Sequence, residues 1–334
     1  MIEVSGLSKR YGNKYAVKNI SFKVKKGEIV GLLGVNGAGK STTMNVLTGY
    51  LSATEGSVKI HGYDILDEPF EAKKHIGYSP EIPPLYSDMT VKEYLNFIFE
   101  LKKIGLSKTA HIDDVCDRLM LTDMKDRLIR NLSRGYKQRT GIAQAMIGNP
   151  DVLILDEPTV GLDPQQILGI RNIIRNLGKK HTVILSSHTL SEIQAVCDRI
   201  IVIHQGEIIA NGTEDELAGG LSKNSVINVR IKGKESVVNK KLTSLKNVIK
   251  VSSYGQLEAG SCDFGIEVEK NADIRENLFY AMAEIKCPIL SISSEGLTLE
   301  EIFLKLTAAT EILDEEEPLQ SDAEKTDDEE EEKN

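Results

Sequence analysis

Glu28-Ile29-Val30-Gly31-Leu32-Leu33-Gly34-Val35-Asn36-Gly37-Ala38-Gly39-Lys40-Ser41 decides how this chain is read. The first half is an apolar, strand-forming run. The second half fits G-x-x-x-x-G-K-[ST] at the point where a helix should begin. Glycines let such a loop curl so that several N–H groups and the helix N-terminus point at phosphate oxygens. Lys40 then supplies a charge to β and γ phosphates, and Ser41 offers a hydroxyl to magnesium.

A second stretch, Val152-Leu153-Ile154-Leu155-Asp156-Glu157, is an apolar strand that ends in two carboxylates. In a parallel sheet the ligand lies beyond the carboxyl ends of the strands. Asp156 is therefore expected to reach the magnesium held at Ser41 while Glu157 addresses an attacking water. The chemistry implied is phosphoryl transfer to water.

Around these motifs, up to about Gly220, β-branched runs alternate with helical patterns and glycine turns, the pattern of an α/β domain with a largely parallel sheet. Strands are expected at 28–33, 152–155, 182–186 and 199–204. Within 91–139 the apolar residues Val91, Leu95, Ile98 and Phe99, then Val115, Leu119 and Leu121, are spaced for helices and predict a helical insertion. Residues 225–294 read as strand, helix, strand, strand, helix, strand (225–231, 235–245, 248–253, 263–269, 272–285, 289–293). That order predicts a small α+β ferredoxin-like domain over 225–310. A last helix is expected at 298–308, with Leu299, Ile302, Phe303 and Leu306 on one face.

The 334 residues suggest about two domains, and 40% hydrophobic with 27% charged residues is ordinary for a globular chain. Residues 314–334 hold 12 acidic residues and two lysines, so the formal charge of -9 leaves only +1 for the rest. The tail is expected to be disordered. The near-neutral remainder offers no strongly basic face, and nucleic acid is not an expected partner. No run approaches the roughly 18 apolar residues that span a bilayer. The N-terminus lacks the features of a signal peptide, which favours the cytoplasm. The four cysteines show no C-x-x-C spacing and are expected as free buried thiols.

Further elements arrive in an order that resembles the ATP-binding subunit of ATP-binding-cassette (ABC) transporters over about residues 2–220. Leu132-Ser133-Arg134-Gly135-Tyr136-Lys137-Gln138-Arg139 resembles the family signature L-S-G-G-Q followed by a basic residue and Q-R. Gly161-Leu162-Asp163 is similar to the D-loop, His188 to the switch histidine, and Tyr11 to the aromatic residue that stacks on adenine. Ile76-Gly77-Tyr78-Ser79-Pro80-Glu81 aligns with the Q-loop, with Glu81 in place of glutamine. The resemblance implies a P-loop NTPase ABC cassette with a mixed, largely parallel sheet and a helical subdomain, using ATP and Mg2+. Tyr11, Gly34, Val35, Asn36, Gly37, Ala38, Gly39, Lys40, Ser41 and Thr42 would bind ATP, and Ser41, Glu81 and Asp156 would hold the metal.

Two such subunits would close head to tail, so that the signature residues Ser133, Arg134, Gly135 and Tyr136 of one meet the γ-phosphate held by Lys40 of the other. Glu157 would polarise the water, His188 would orient Glu157, and Asp163 would link the two sites. Two departures stand out. Glu81 brings another negative charge beside Asp156 and Glu157, and Arg134 and Tyr136 replace a glycine and a glutamine of the signature.

The resemblance further implies a membrane-spanning permease, received around residues 81–91 and the helical insertion, and a second nucleotide-binding subunit, identical or paralogous. The chain would lie peripherally on the cytoplasmic face of the plasma membrane. The modified signature and the C-terminal domain look like those of ABC-2-type exporters, the multidrug and gliding-motility group. The alternative is an ATP-gated clamp on protein or nucleic acid. One phosphate loop, no long heptad insertion and a near-neutral folded part weigh against it. An inactive subunit is disfavoured because Lys40, Asp156, Glu157 and His188 are all present.

Overall fold

Alternation of buried and exposed residues starts at Ile2 and Val4 and returns at Ile20, Phe22 and Val24, and it produces an antiparallel hairpin of β1 (Ile2–Tyr11) and β2 (Lys14–Val24). This computed structural model describes residues 1–221, 225–256, 258, 260–269 and 272–295. After the hairpin come β3 (Ile29–Leu33), α1 (Lys40–Leu47), β4 (Glu55–Ile60), β5 (Tyr63–Asp64), α2 (Pro69–Lys74) and β6 (Ile76–Ser79). Three helices follow, α3 (Val91–Leu101), α4 (Lys108–Arg118) and α5 (Arg134–Met146). The chain then alternates through β7 (Val152–Leu155), α6 (Pro164–Gly178), β8 (Thr182–Ser187), α7 (Leu190–Gln194), β9 (Arg199–His204), β10 (Glu207–Gly212) and α8 (Glu214–Leu221).

The central sheet is six-stranded, in the order β10-β9-β3-β8-β7-β6, with β10 antiparallel at one edge and the other five parallel. Its strands are apolar on both sides because both sides are covered. Leu153, Leu155, Val183, Leu185, Ile200 and Val202 face a core shared with α3, α4, α5 and α6. Val152, Ile154, Ile184, Ile201 and Ile203 face a second core, shared with α1 and the antiparallel sheet β2-β1-β4-β5. That antiparallel sheet was not foreseen in the sequence.

The helical stretch begins where expected. Thr90 caps α3 in a reciprocal box: the N–H of Glu93 donates to Thr90 Oγ1 (3.2 Å), and the N–H of Thr90 donates to Glu93 Oε2 (2.8 Å). It runs past the expected limit of 139, because Ile142, Ala143, Ala145 and Met146 continue the buried face of α5.

In the C-terminal part lie β11 (Ser225–Lys232), α9 (Glu235–Thr243), β12 (Val248–Gly255), β13 (Ser261–Val268), α10 (Arg275–Glu284) and β14 (Ile289–Glu295). The strands pair antiparallel in the order β12-β13-β11-β14. Their apolar cluster, Ile227 to Cys287, shares no residue with the two cores above. The expected helix at 298–308 and the acidic tail lie outside the described residues. The four cysteines are free, and burial pushes the Cys116 thiol up to about 11 and raises that of Cys197 as well. No described helix is long and apolar enough to cross a membrane.

Candidate active site

Parallel register fixes where the chemistry sits. Leu33 pairs with Ser187 and Leu155 with Leu185, so the residues after β3, β7 and β8 emerge along one edge of the sheet. There the loop from Gly34 to Gly39 turns into α1. A Cβ at Gly34 would overlap the carbonyl oxygen of Ile203, and one at Gly39, whose φ is 109°, would lie 2.5 Å from that of Ala16. Only glycine fits either place. The loop is thus pressed against its neighbours, with the N-terminus of α1 behind it.

Lys40 is buried, and its Nζ donates to the carbonyls of Gly34 (2.7 Å) and Val35 (3.3 Å). It also lies 3.4 Å from Glu157 Oε1. His188 Nδ1 is 2.9 Å from the other oxygen, Oε2, so Glu157 is held on both sides. Its backbone is in the left-handed region at φ 46°, uncommon for a residue with a side chain. The Glu157 N–H donates to Ser186 Oγ (2.8 Å), whose own hydroxyl donates to Asp156 Oδ1 (2.6 Å). Ser41 Oγ also approaches Asp156 Oδ1, at 3.4 Å. Burial, and then the charge of Asp156, push the Tyr78 hydroxyl well above the usual phenol range.

A cavity of about 320 Å³ opens here, lined by residues of the 36–42 loop and helix start together with Glu81, Glu157, Val160 and His188. The donor set suits a magnesium ion. Ser41 and Glu81 line the cavity with a hydroxyl and a carboxylate, Asp156 is not in the lining but has Oδ1 3.4 Å from Ser41 Oγ, and hard oxygen ligands are what that ion takes. Asp156, 4% exposed, is held by hydroxyls and forms no ion pair with a basic side chain among the described residues. That leaves Asp156 available to a cation.

The structure does not bring every expected residue into this cavity. Tyr11, at the end of β1, is 52% exposed, with Lys9 Nζ 5.5 Å from its ring centroid, and it does not line the cavity. Ser133 and Asp163 cap two helices. The Tyr136 N–H donates to Ser133 Oγ (3.5 Å) at the start of α5, and the Gln166 N–H donates to Asp163 Oδ1 (2.9 Å) at the start of α6. These helix starts pack closely. A Cβ at Gly135 would lie 2.8 Å from Gln166 Oε1, and one at Gly161 would overlap the Arg134 guanidinium. Further along, Arg139 lies over the Tyr136 ring at 5.4 Å and against Gly169. Sequence reasoning missed Ser186 as a site residue. Its signal was a small polar residue ending an apolar strand just before His188.

Comparison with known proteins gives the same picture. A family model described as "ABC transporter" matches residues 17–160. The chain is 35% identical over 314 residues to the linearmycin resistance ATP-binding protein LnrL of Bacillus subtilis (strain 168), covering 93% of this chain and 99% of that one. It is 38% identical over 219 residues to the bacitracin transport ATP-binding protein BcrA of Bacillus licheniformis, covering 65% and 71%. Among solved structures, an ATP-binding subunit of an ABC transporter matches with a TM-score of 0.59 at 31% identity, over 65% of this chain and 91% of that one. A dimeric ATP-binding cassette in a post-hydrolysis state, bound to ADP and phosphate, matches with a TM-score of 0.59 at 25% identity, over 64% and 98%. The chain belongs to the ABC transporter family, as an ATP-binding subunit that hydrolyses ATP with Mg2+.

Proposed function

We propose that this ATPase powers an exporter through ATP-driven closure of a head-to-tail pair, with Glu157 as the base that activates water. The observation that carries the assignment is the two-sided hold on Glu157, by Lys40 at Oε1 and His188 at Oε2. Loop N–H groups and Lys40 receive the phosphates. Turning Lys40 Nζ toward them leaves Glu157 oriented by His188, with Oε1 open to a water. His188 keeps Nε2 for the γ-phosphate. Ser41, Asp156 and Glu81 would hold magnesium, which when bound polarises the phosphoryl oxygens. Tyr11 stays a proposed adenine contact on the resemblance alone.

Ser133 and Gly135 lie outside the cavity of their own chain and stand at the N-terminus of α5, a place suited to a partner's phosphate. The test is Glu157→Gln. Phosphate release should fall by at least about a hundredfold, the lower range for loss of a general base, while ATP-dependent dimerisation persists. Protein that stays monomeric with excess ATP and magnesium, or that hydrolyses at the original rate, would overturn the assignment.

ABC ATP-binding subunits work with membrane permease components and dimerise. For this chain the proposed permease contact is residues 81–91 and the helical stretch, a reading supported by the exposure of Ile82, Tyr86 and Phe97. This puts the subunit on the cytoplasmic face of the plasma membrane, held through its partner, which is bound by a homodimer or by this chain with a paralogue. Export is supported by the names of two relatives, one a linearmycin resistance protein and one a bacitracin transport protein. Capture of Glu157→Gln protein from solubilised membranes should bring a polytopic membrane protein in near-equal amount. Recovery of soluble partners alone would favour the clamp.

The chain is further proposed to divide into a cassette over 1–220, a ferredoxin-like domain over 225–310 and an acidic tail over 314–334. The separate apolar cluster of the second part supports this division.

A further inference from the structure

A group of metal-ligating side chains lies at the edge of the parallel sheet opposite to Glu157. Ile76 pairs with Val152, so His75 and Asp151, which precede β6 and β7, meet, with His75 Nδ1 2.6 Å from Asp151 Oδ2. The turn between β4 and β5 adds His61, whose backbone sits at φ 55° and whose N–H donates to the Met1 carbonyl (2.8 Å). Its ring stacks on that of His75 with centroids 4.2 Å apart and planes 5° from parallel. Its Nδ1 is 4.0 Å from the same Asp151 oxygen and 3.3 Å from Met1 Sδ. The ligand atoms of His61, His75 and Asp151 all lie within 4.8 Å of one another.

We propose that His61, His75 and Asp151 form a binding site for a divalent transition ion of the zinc type. Two imidazoles and a carboxylate are the donors such an ion takes, and the imidazoles are poor donors for magnesium or calcium. A hydrogen-bonded His75–Asp151 pair needs no third member. Here a second imidazole is stacked on the first, with its Nδ1 toward the same carboxylate oxygen. Asp151 is distant in sequence from the two histidines, and strand register with a tight turn brings all three together, so the fold has already paid much of the cost of assembling them.

The two rings are parallel, so their in-plane lone pairs do not converge as they stand, and coordination opens the stack. His75 must carry its proton on Nε2, freeing the Nδ1 lone pair. The His61 side chain, 43% exposed, must turn so that its lone pair converges on the same point. Water completes the coordination, with the Met1 thioether beside it. The ion would tie the β4–β5 turn of the antiparallel sheet to the edge of the central one.

The test uses the full chain without nucleotide, titrated with Zn2+ against a chromophoric chelator and with Co2+ read by its visible absorption. Cysteines, the acidic tail and the Asp156 site can also bind metal, so the wild type is compared with His61→Ala and His75→Ala. Each substitution should weaken one tight site by more than about tenfold, the minimum cost even of an outer-shell partner, and abolish the cobalt band. ATP hydrolysis with Mg2+ alone should stay at the wild-type rate in both. A wild type that gives no cobalt band, or variants that bind Zn2+ as tightly as it does, would overturn the proposal.

Discussion

Ser186 serves both acidic residues of the site, donating to Asp156 and accepting the N–H of Glu157. Replacing it with alanine leaves a buried carboxylate oxygen and a buried N–H each short of a partner. Ser186→Ala should destabilise the protein by about 1–3 kcal/mol in urea melts. Glu157 would also lose the hydrogen bond to its backbone N–H, so ATP turnover should fall more than ATP affinity, which single-turnover and binding assays separate. Equal losses would assign Ser186 to binding instead. His188 was read from the family resemblance, whereas Lys40, Ser41, Asp156 and Glu157 were legible in the sequence because phosphate chemistry fixes their types and spacing. Ser186 was not, since a strand-end serine acquires its role only when parallel register sets it beside Asp156. Tyr11 was read from resemblance alone, and its position at the exposed end of β1 adds nothing to that reading.

The helix starts of α5 and α6 are joined through Arg134 over Gly161 and Gln166 against Gly135. Gly161→Ala meets two obstacles, a φ of 68° and the Arg134 guanidinium. Arg134→Gly removes only the second. A double-mutant cycle in chemical denaturation should therefore give a coupling energy of about 0.5–3 kcal/mol, with the alanine better tolerated in the Arg134→Gly background. Additive effects would mean that the guanidinium moves aside freely. The helices were legible through apolar spacing from Val91 onward, whereas the caps at Thr90 and Ser133 were recognised only in the structure. The N-terminal antiparallel sheet stayed hidden because its alternation is broken by the irregular register between β1 and β2, which the sequence alone does not reveal.

At the scale of the whole molecule, Arg199 on β9 binds Glu28, just before β3, with Arg199 Nε 2.6 Å from Glu28 Oε1. Burial alone would raise the Glu28 carboxyl, but the Arg199 hydrogen bond, helped by Lys25, brings it below its ordinary 4.5. A folded value below the unfolded one means that the pair's stabilisation is present above pH 4.5 and is lost as pH falls through the lower folded value. Arg199→Ala should lower the melting temperature near pH 7 and flatten its decline in that acid window. An unchanged slope would remove the pair from the acid response. If the C-terminal domain steadies the dimer, truncation after residue 221 should weaken ATP-dependent association, measured by light scattering, and unchanged association would sink that role. The contact between Arg134 and Gly161 has a further consequence in a head-to-tail pair. There the segment proposed to meet the partner's nucleotide and the segment proposed to reach the partner's catalytic edge are packed on each other, so the occupancy of one site would be felt at the other through the Arg134 guanidinium over Gly161.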